Sequence, residues 1–254
     1  MTGVQTCALP ISLIFGLSTG CAAVGSDASN YNFVCEDGPP EQLSLLDVST
    51  SGRDLDILAE RLNAIQVDAE RVADCDGSLT VVAWGGSAST SEVLYQGQIR
   101  VLGASEIGRD RKIPAAVDAV MEEVRGKLNA LMQATPSGGE DLLAAFSIVS
   151  DFVRAGGADQ SAFAVSIYAD GIATEGSAQI NRPGLSEARI EELIAEQSLP
   201  DLSGVPISMF GVGRIGGTAK PPQQVVETTQ IYAQDLCAAT GAECRTFSST
   251  FSTD

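Results

Sequence analysis

The chain of 254 residues contains no histidine. That absence removes Ser-His-Asp and Cys-His nucleophile pairs, the zinc-protease helix and nearly every His-based metal site. Carboxylate, hydroxyl and backbone chemistry remain. Basic residues are scarce as well: 15 Lys and Arg stand against 33 Asp and Glu, for a formal net charge of -18. Such a field repels polyphosphate, so nucleic acid is not an expected partner. Hydrophobic residues nevertheless make up 44% of the chain. With mean hydropathy at +0.12, that supply of apolar surface excludes a disordered chain and can fill a substantial core.

The first eleven residues, MTGVQTCALPI, have no periodicity and no signal-like charge. They resemble a translated sequencing adapter, which leaves Cys7 without a chemical role and the gene's start undefined. From Ser12 the run SLIFGLSTGC is apolar and then small, like the end of a secretory signal. It is too short to span a bilayer. Its ending, Leu17-Ser18-Thr19-Gly20-Cys21, resembles a bacterial lipobox, which implies lipidation at Cys21, although Ser18 stands where an aliphatic residue is usual. Residues 21–40 are small and polar and close on two prolines, so they read as a tether from the membrane to one folded domain, 41–254. The protein is therefore expected to be exported to a bacterial cell envelope.

Apart from Cys7 and Cys21, the cysteines are Cys35, Cys75, Cys237 and Cys244, an even number in a chain expected to meet an oxidising compartment. Four cysteines allow three pairings. Spacing favours Cys237 with Cys244, which closes a short segment at a helix end, and leaves Cys35 with Cys75. A zinc site built from all four lacks any CxxC pair.

Strand-like and helix-like segments alternate through the domain. QLSLLDVS (42–49) is strand-like, and 53–73 places Leu55, Leu58, Ala59, Leu62, Ile65 and Val72 on a helical period. LTVVAW (79–84) followed by VLYQGQIRV (93–101), with no helix between them, predicts a hairpin at a sheet edge. Helices are expected at 111–132, 141–154, 187–197 and 223–239, with strands at 162–169, 205–212 and 245–248. This alternation predicts a mostly parallel sheet with helices on both faces.

In such a sheet, ligands bind at the carboxyl ends of the strands, where strand order reverses. Two strand ends there are rich in oxygen donors: Asp47-Val48-Ser49-Thr50-Ser51-Gly52 and Asp170-Gly171. Carboxylates with hydroxyls suit a hard cation such as Mg²⁺. LLDVSTSG resembles the Asp-x-Ser-x-Ser loop of von Willebrand factor A domains, which also occur as integrin inserted domains and in bacterial surface proteins. IYADG resembles their later Asp-Gly strand end, and SGGEDLLAAF their Gly-Gly-Thr-Asp-Leu helix start. The resemblance implies a three-layer α/β sandwich with strand order 3-2-1-4-5-6, one antiparallel edge strand and a metal-ion-dependent adhesion site. It further implies that Ser49 and Ser51 ligate the ion directly, that Asp47 and Asp170 act mainly through water, and that a partner's carboxylate completes the shell. Where the family has threonine this chain has Glu140. Thr135, Ser137 or Glu140 itself could fill that position, or it could stand vacant.

Other features are weaker. Gly211-Val212-Gly213-Arg214-Ile215-Gly216 matches GxGxxG, but Pro221 and Pro222 follow and no acidic strand end stands about twenty residues on, so a loop is expected rather than a dinucleotide site. Asp47 lacks the second aspartate of aspartate-based phosphatases. Trp84 is expected in the core, and Glu191-Glu192 on a solvated helix face. The functional expectation is a non-enzymatic envelope module that binds a protein or acidic ligand through Mg²⁺, Mn²⁺ or Ca²⁺. A metal-free structural domain and a metal-dependent envelope hydrolase are the alternatives.

Peptide mapping of unreduced protein should recover Cys237 joined to Cys244 and Cys35 joined to Cys75. Helix end and strand approach meet at the amino-terminal edge of a parallel sheet, which makes the longer link reasonable. Free thiols at Cys35 and Cys75 in native protein would refute that link.

Overall fold

The run EQLSLLD forms β1 (Glu41–Asp47), and it is paired on both sides. Parallel neighbours are β2 (Ser78–Trp84), with Leu46 opposite Ala83, and β4 (Phe163–Tyr168), with Leu46 opposite Tyr168. Outside β2 lies β3 (Glu92–Gln98), antiparallel, and outside β4 lie β5 (Pro206–Phe210) and β6 (Glu243–Phe247), both parallel. The sheet order is β3-β2-β1-β4-β5-β6, the order and the single antiparallel edge that the family resemblance implies. This computed structural model describes residues 35, 38–103, 105–135, 138–156, 163–182, 184–215 and 221–249, all within the unit Tyr31–Asp254. The adapter-like segment, the signal-like run, Cys21, Ser137 and Gly216 lie outside the described residues.

Alternate residues of each strand face opposite layers. Leu43 and Leu45, with Val165, Ile167, Ile207 and Met209, pack against α4 (Leu142–Gly156), α5 (Glu187–Ala195) and α6 (Gln223–Thr240). Leu46, Val81 and Ala83 pack on the other face against α1 (Leu55–Asp74) and α3 (Ile113–Ala134). Trp84 is fully buried in the first of these layers, as expected. A short helix that the periodicity did not reveal, α2 (Glu106–Asp110), precedes α3 and is capped by Ser105, whose hydroxyl accepts from the Gly108 N–H. Helix α3 starts at Ile113 rather than 111 because Pro114 occupies its first turn, where a missing N–H costs nothing. No described helix is long and apolar enough to cross a membrane.

The inward stripe of α1 differs from expectation. Leu55 is 81% exposed and Ala59 is exposed, because at about 100° per residue both fall on the side of α1 turned away from the arc that carries Ile57, Arg61 and Ile65 inward. The buried stripe is Ile57, Leu58, Arg61, Ala64, Ile65, Ala69 and Val72, and it includes a cation. Asp54 caps the helix, its Oδ1 accepting from the N–H groups of Asp56 and Ile57.

Both disulfides have the connectivity that spacing favoured. Cys35–Cys75 ties the approach to β1 to the end of α1 with Cα atoms 5.7 Å apart, and Cys237–Cys244 ties α6 to β6 at 6.3 Å. Gly211 and Gly213 take positive φ in a bend after β5, and the next helix among the described residues, α6, begins at Gln223.

Asp68 of α1 also points at the sheet, where its Oδ2 accepts from Ser44 Oγ at 2.6 Å and Tyr168 OH at 2.8 Å. Burial pushes its carboxyl above the ordinary 3.8, outweighing those hydrogen bonds. A carboxyl raised in the folded state holds its proton longer than the unfolded chain does, so stability falls as pH rises from the ordinary value through the raised one. Asp68→Asn keeps an acceptor for both hydroxyls and removes this contribution. Its melting temperature should decline less than that of the wild type between about pH 4 and 7, as scanning calorimetry can measure.

Candidate metal centre

Strand order reverses at β1: the chain leaves it for β2 on one side and later returns as β4 on the other. Because β1 and β4 run parallel in register, their last residues emerge at one edge. Asp47 ends β1, and Asp170 lies two residues past β4. Glu140 precedes α4 by two residues. One carboxylate oxygen from each of Asp47, Glu140 and Asp170 lies within 4.8 Å of the other two. All three side chains are buried, at 0%, 1% and 1% exposure.

The loops that hold them are closed by their own hydrogen bonds. Asp47 Oδ1 accepts from the Ser49 N–H at 2.7 Å, and the hydroxyls of Ser49 and Ser51 lie 3.1 Å apart. Asp170 Oδ1 accepts from the Ile172 N–H at 2.8 Å, and Glu140 Oε1 from the Gly171 N–H at 3.1 Å. Gly171 has φ of +73°, a conformation that glycine adopts without strain, and so can turn its N–H toward Glu140. Thr174 clasps the backbone of Glu140: its Oγ1 accepts from the Glu140 N–H, and its own N–H donates to the Glu140 carbonyl. Trp84 Nε1 donates to the Asp141 carbonyl at 3.4 Å, which anchors the start of α4 to β2.

The oxygens left over differ among the three carboxylates. Asp47 Oδ2 is taken by Arg61, whose Nη1 donates to it at 2.9 Å and to the Asp47 carbonyl at 3.2 Å. Glu140 Oε2 and Asp170 Oδ2 are buried and have no hydrogen-bond partner among the described residues. Burial first, then repulsion from Asp170 and Asp47, pushes the Glu140 carboxyl well above its ordinary range. Burial also raises Asp47, partly countered by Arg61. Above this floor opens a crevice of about 850 Å³, lined by Ser49, Ser51, Asp170, Thr174, Glu175 and Ile215 among others.

Of the sequence candidates, the structure brings together Asp47, Ser49, Ser51, Asp170 and Glu140. Thr135 does not line the crevice: this residue follows α3, gives its carbonyl to Arg53 Nη1 at 2.9 Å and lines an adjoining cavity with Val48 and Thr90. Arg61 and Thr174 escaped the sequence reading. Arg61 carried a usable signal, since it falls on the inward stripe between Leu58 and Ile65, where a charge must find a buried partner.

No family model matches the chain, and no curated protein matches it. Among solved structures it is similar to an aerotolerance-related membrane protein from Bacteroides fragilis NCTC 9343 carrying multiple mutations to serine, at 11% identity over 83% of this chain and 90% of that one, with a TM-score of 0.38. It is also similar to the conserved hypothetical protein BatB from Bacteroides thetaiotaomicron, at 13% identity over 83% and 91%, with a TM-score of 0.39. Proximal thread matrix protein 1 from the mussel byssus matches at 14% identity over 80% of this chain and 49% of that one, with a TM-score of 0.34. At this level of likeness none of these proteins transfers a function to the chain.

Proposed function

We propose that the chain is a non-enzymatic binding module of the bacterial cell envelope that works through a divalent cation, Mg²⁺, Mn²⁺ or Ca²⁺. Asp170 and Glu140 supply carboxylate oxygens, Ser49 and Ser51 supply hydroxyls, and Asp47 supports the site from behind. The observation that carries this reading is the pair of partnerless buried oxygens, Glu140 Oε2 and Asp170 Oδ2. Such atoms are costly to bury unless something positive meets them, and an all-oxygen set suits a hard cation. Formal charge agrees: three carboxylates less one guanidinium leave two negative charges, which a divalent ion neutralises.

The crevice above the floor supports a partner that reaches the ion with a carboxylate, from a protein or an acidic ligand. Glu140 tempers that capture, because it supplies from within the chain the negative charge that the partner would bring. Export fits the two disulfides, and lipidation at Cys21 would hold the domain at the membrane. A second reading has one observation in its favour: the Glu140 and Asp170 carboxylates lie close enough for a shared proton to take the place of an ion, while Arg61 neutralises Asp47, which gives a metal-free scaffold.

Calorimetric titration of Mg²⁺, Mn²⁺ and Ca²⁺ separates the two. Saturable binding is expected, weakened about tenfold to a hundredfold by Asp47→Ala, as removal of an outer support does. Glu187→Ala, which removes an exposed charge on α5, should leave it unchanged. Absence of saturable binding in the wild type would favour the scaffold, and equal effects of the two substitutions would show only the general acidic field.

A further inference from the structure

We propose that Arg61 sets the charge of the ion that this site accepts, lowering the carboxylate cluster from three negative charges to two and so selecting divalent over trivalent cations. The inference rests on the cation reading above and adds a specificity-determining residue to it. Arg61 and Asp47 form an ion pair at 2.9 Å, with side chains 2% and 0% exposed. A guanidinium so buried is not a surface counter-ion that salt or solvent can replace. It reaches the cluster from α1, on the stripe that carries Leu58 and Ile65 into the core. From there it donates to Asp47, and among the described residues the partnerless oxygens belong to the other two carboxylates.

Gly52 shows that the loop leaves room for this pair. A Cβ at position 52 would collide with Asp47 O, Asp47 Oδ2 and Arg61 Nη1 together. The loop after β1 therefore holds a position without a side chain at the point where the guanidinium meets the aspartate. Two consequences follow for the ion. Asp47 Oδ2 is occupied, which leaves Glu140 and Asp170 as the carboxylates with free oxygens. Their two charges then balance a divalent ion, whereas a trivalent ion would leave one positive charge uncompensated in a buried setting, where charge is expensive.

The test compares Ca²⁺ and Tb³⁺, ions of similar size and different charge, by calorimetry on the full chain, with near-UV circular dichroism as the check on folding. Arg61→Gln, with three negative charges, should raise the preference for Tb³⁺ over Ca²⁺ by roughly tenfold or more. Arg61→Lys should keep the wild-type preference. The double variant Arg61→Gln with Asp47→Asn, back at two negative charges, should return to it. Asp47→Asn alone, with one negative charge, should shift the preference the other way, and it decides the matter if Arg61→Gln does not fold. An unchanged preference in folded Arg61→Gln overturns the proposal, as does a double variant that behaves like Arg61→Gln or an Asp47→Asn without the reverse shift. If the wild type binds neither ion, the cation reading falls. In that case a gain of Tb³⁺ binding in Arg61→Gln still upholds the role of Arg61, and silence in both overturns it.

Discussion

The parallel pairing of β1 with β2 on one side and β4 on the other is the constraint from which the rest of the molecule follows. Once Leu46 stands between Ala83 and Tyr168, the carboxyl ends of three strands are level, and the loops that leave them must share one edge. Both faces of β1 are then buried, Leu43 and Leu45 toward α4, α5 and α6, and Leu46 toward α1 and α3. A strand so placed cannot slip by one residue without exchanging its two apolar faces. That rigidity fixes the backbone position of Asp47 at its end, and the Ser49 N–H and Arg61 then orient its carboxylate.

Charge is the second constraint, and it works against the first. The pairing that aligns the strand ends also drives three carboxylates into a space that water hardly reaches, where like charges repel strongly. Part of the burden is met by backbone N–H groups of Ser49, Gly171 and Ile172, each aimed at one oxygen. Arg61 meets another part, from a helix whose main task is apolar packing. Two oxygens remain unmatched, and the functional reading grows from that remainder. A buried group with a missing partner is a defect in a scaffold, whereas in a cation site it is the place where the ligand binds.

The disulfides belong to a different part of the mechanics. Cys35–Cys75 lies at the amino-terminal edge, beside the start of β1 and the end of α1, at the opposite end of β1 from the carboxylates. Cys237–Cys244 closes the turn between α6 and the edge strand β6. Both tie down segments that the central pairing leaves least constrained: the chain entering the sheet and the strand at its rim. The carboxylate site is built at the carboxyl ends of the middle strands.

Much of this architecture could be read from local pattern. Apolar spacing reports secondary structure because a helix or strand is decided by residues a few positions apart, and for that reason the order of elements, the antiparallel hairpin of β2 and β3 and the cysteine partners were visible in the chain. Asp47, Ser49, Ser51 and Asp170 were visible too, as polar residues at strand ends. Pattern failed where position depends on how a helix is rotated against its neighbours: Leu55 has an apolar spacing, yet it lies off the inward arc of α1 and faces water, while Ile57 in the same turn is buried. It also left open which of Glu140, Thr135 and Ser137 stands nearest the carboxylates. Only the folded chain answers for two of these, with Glu140 clasped by Thr174 beside the other carboxylates and Thr135 lining the adjoining cavity. Nor could periodicity assign Arg61 to Asp47, because a charge on an apolar stripe shows that a partner is required but not where it lies. Strand identity and donor chemistry are local properties that the sequence determines by itself, whereas the net charge of the site and its free oxygens are sums over segments distant in the chain, which only tertiary packing brings together.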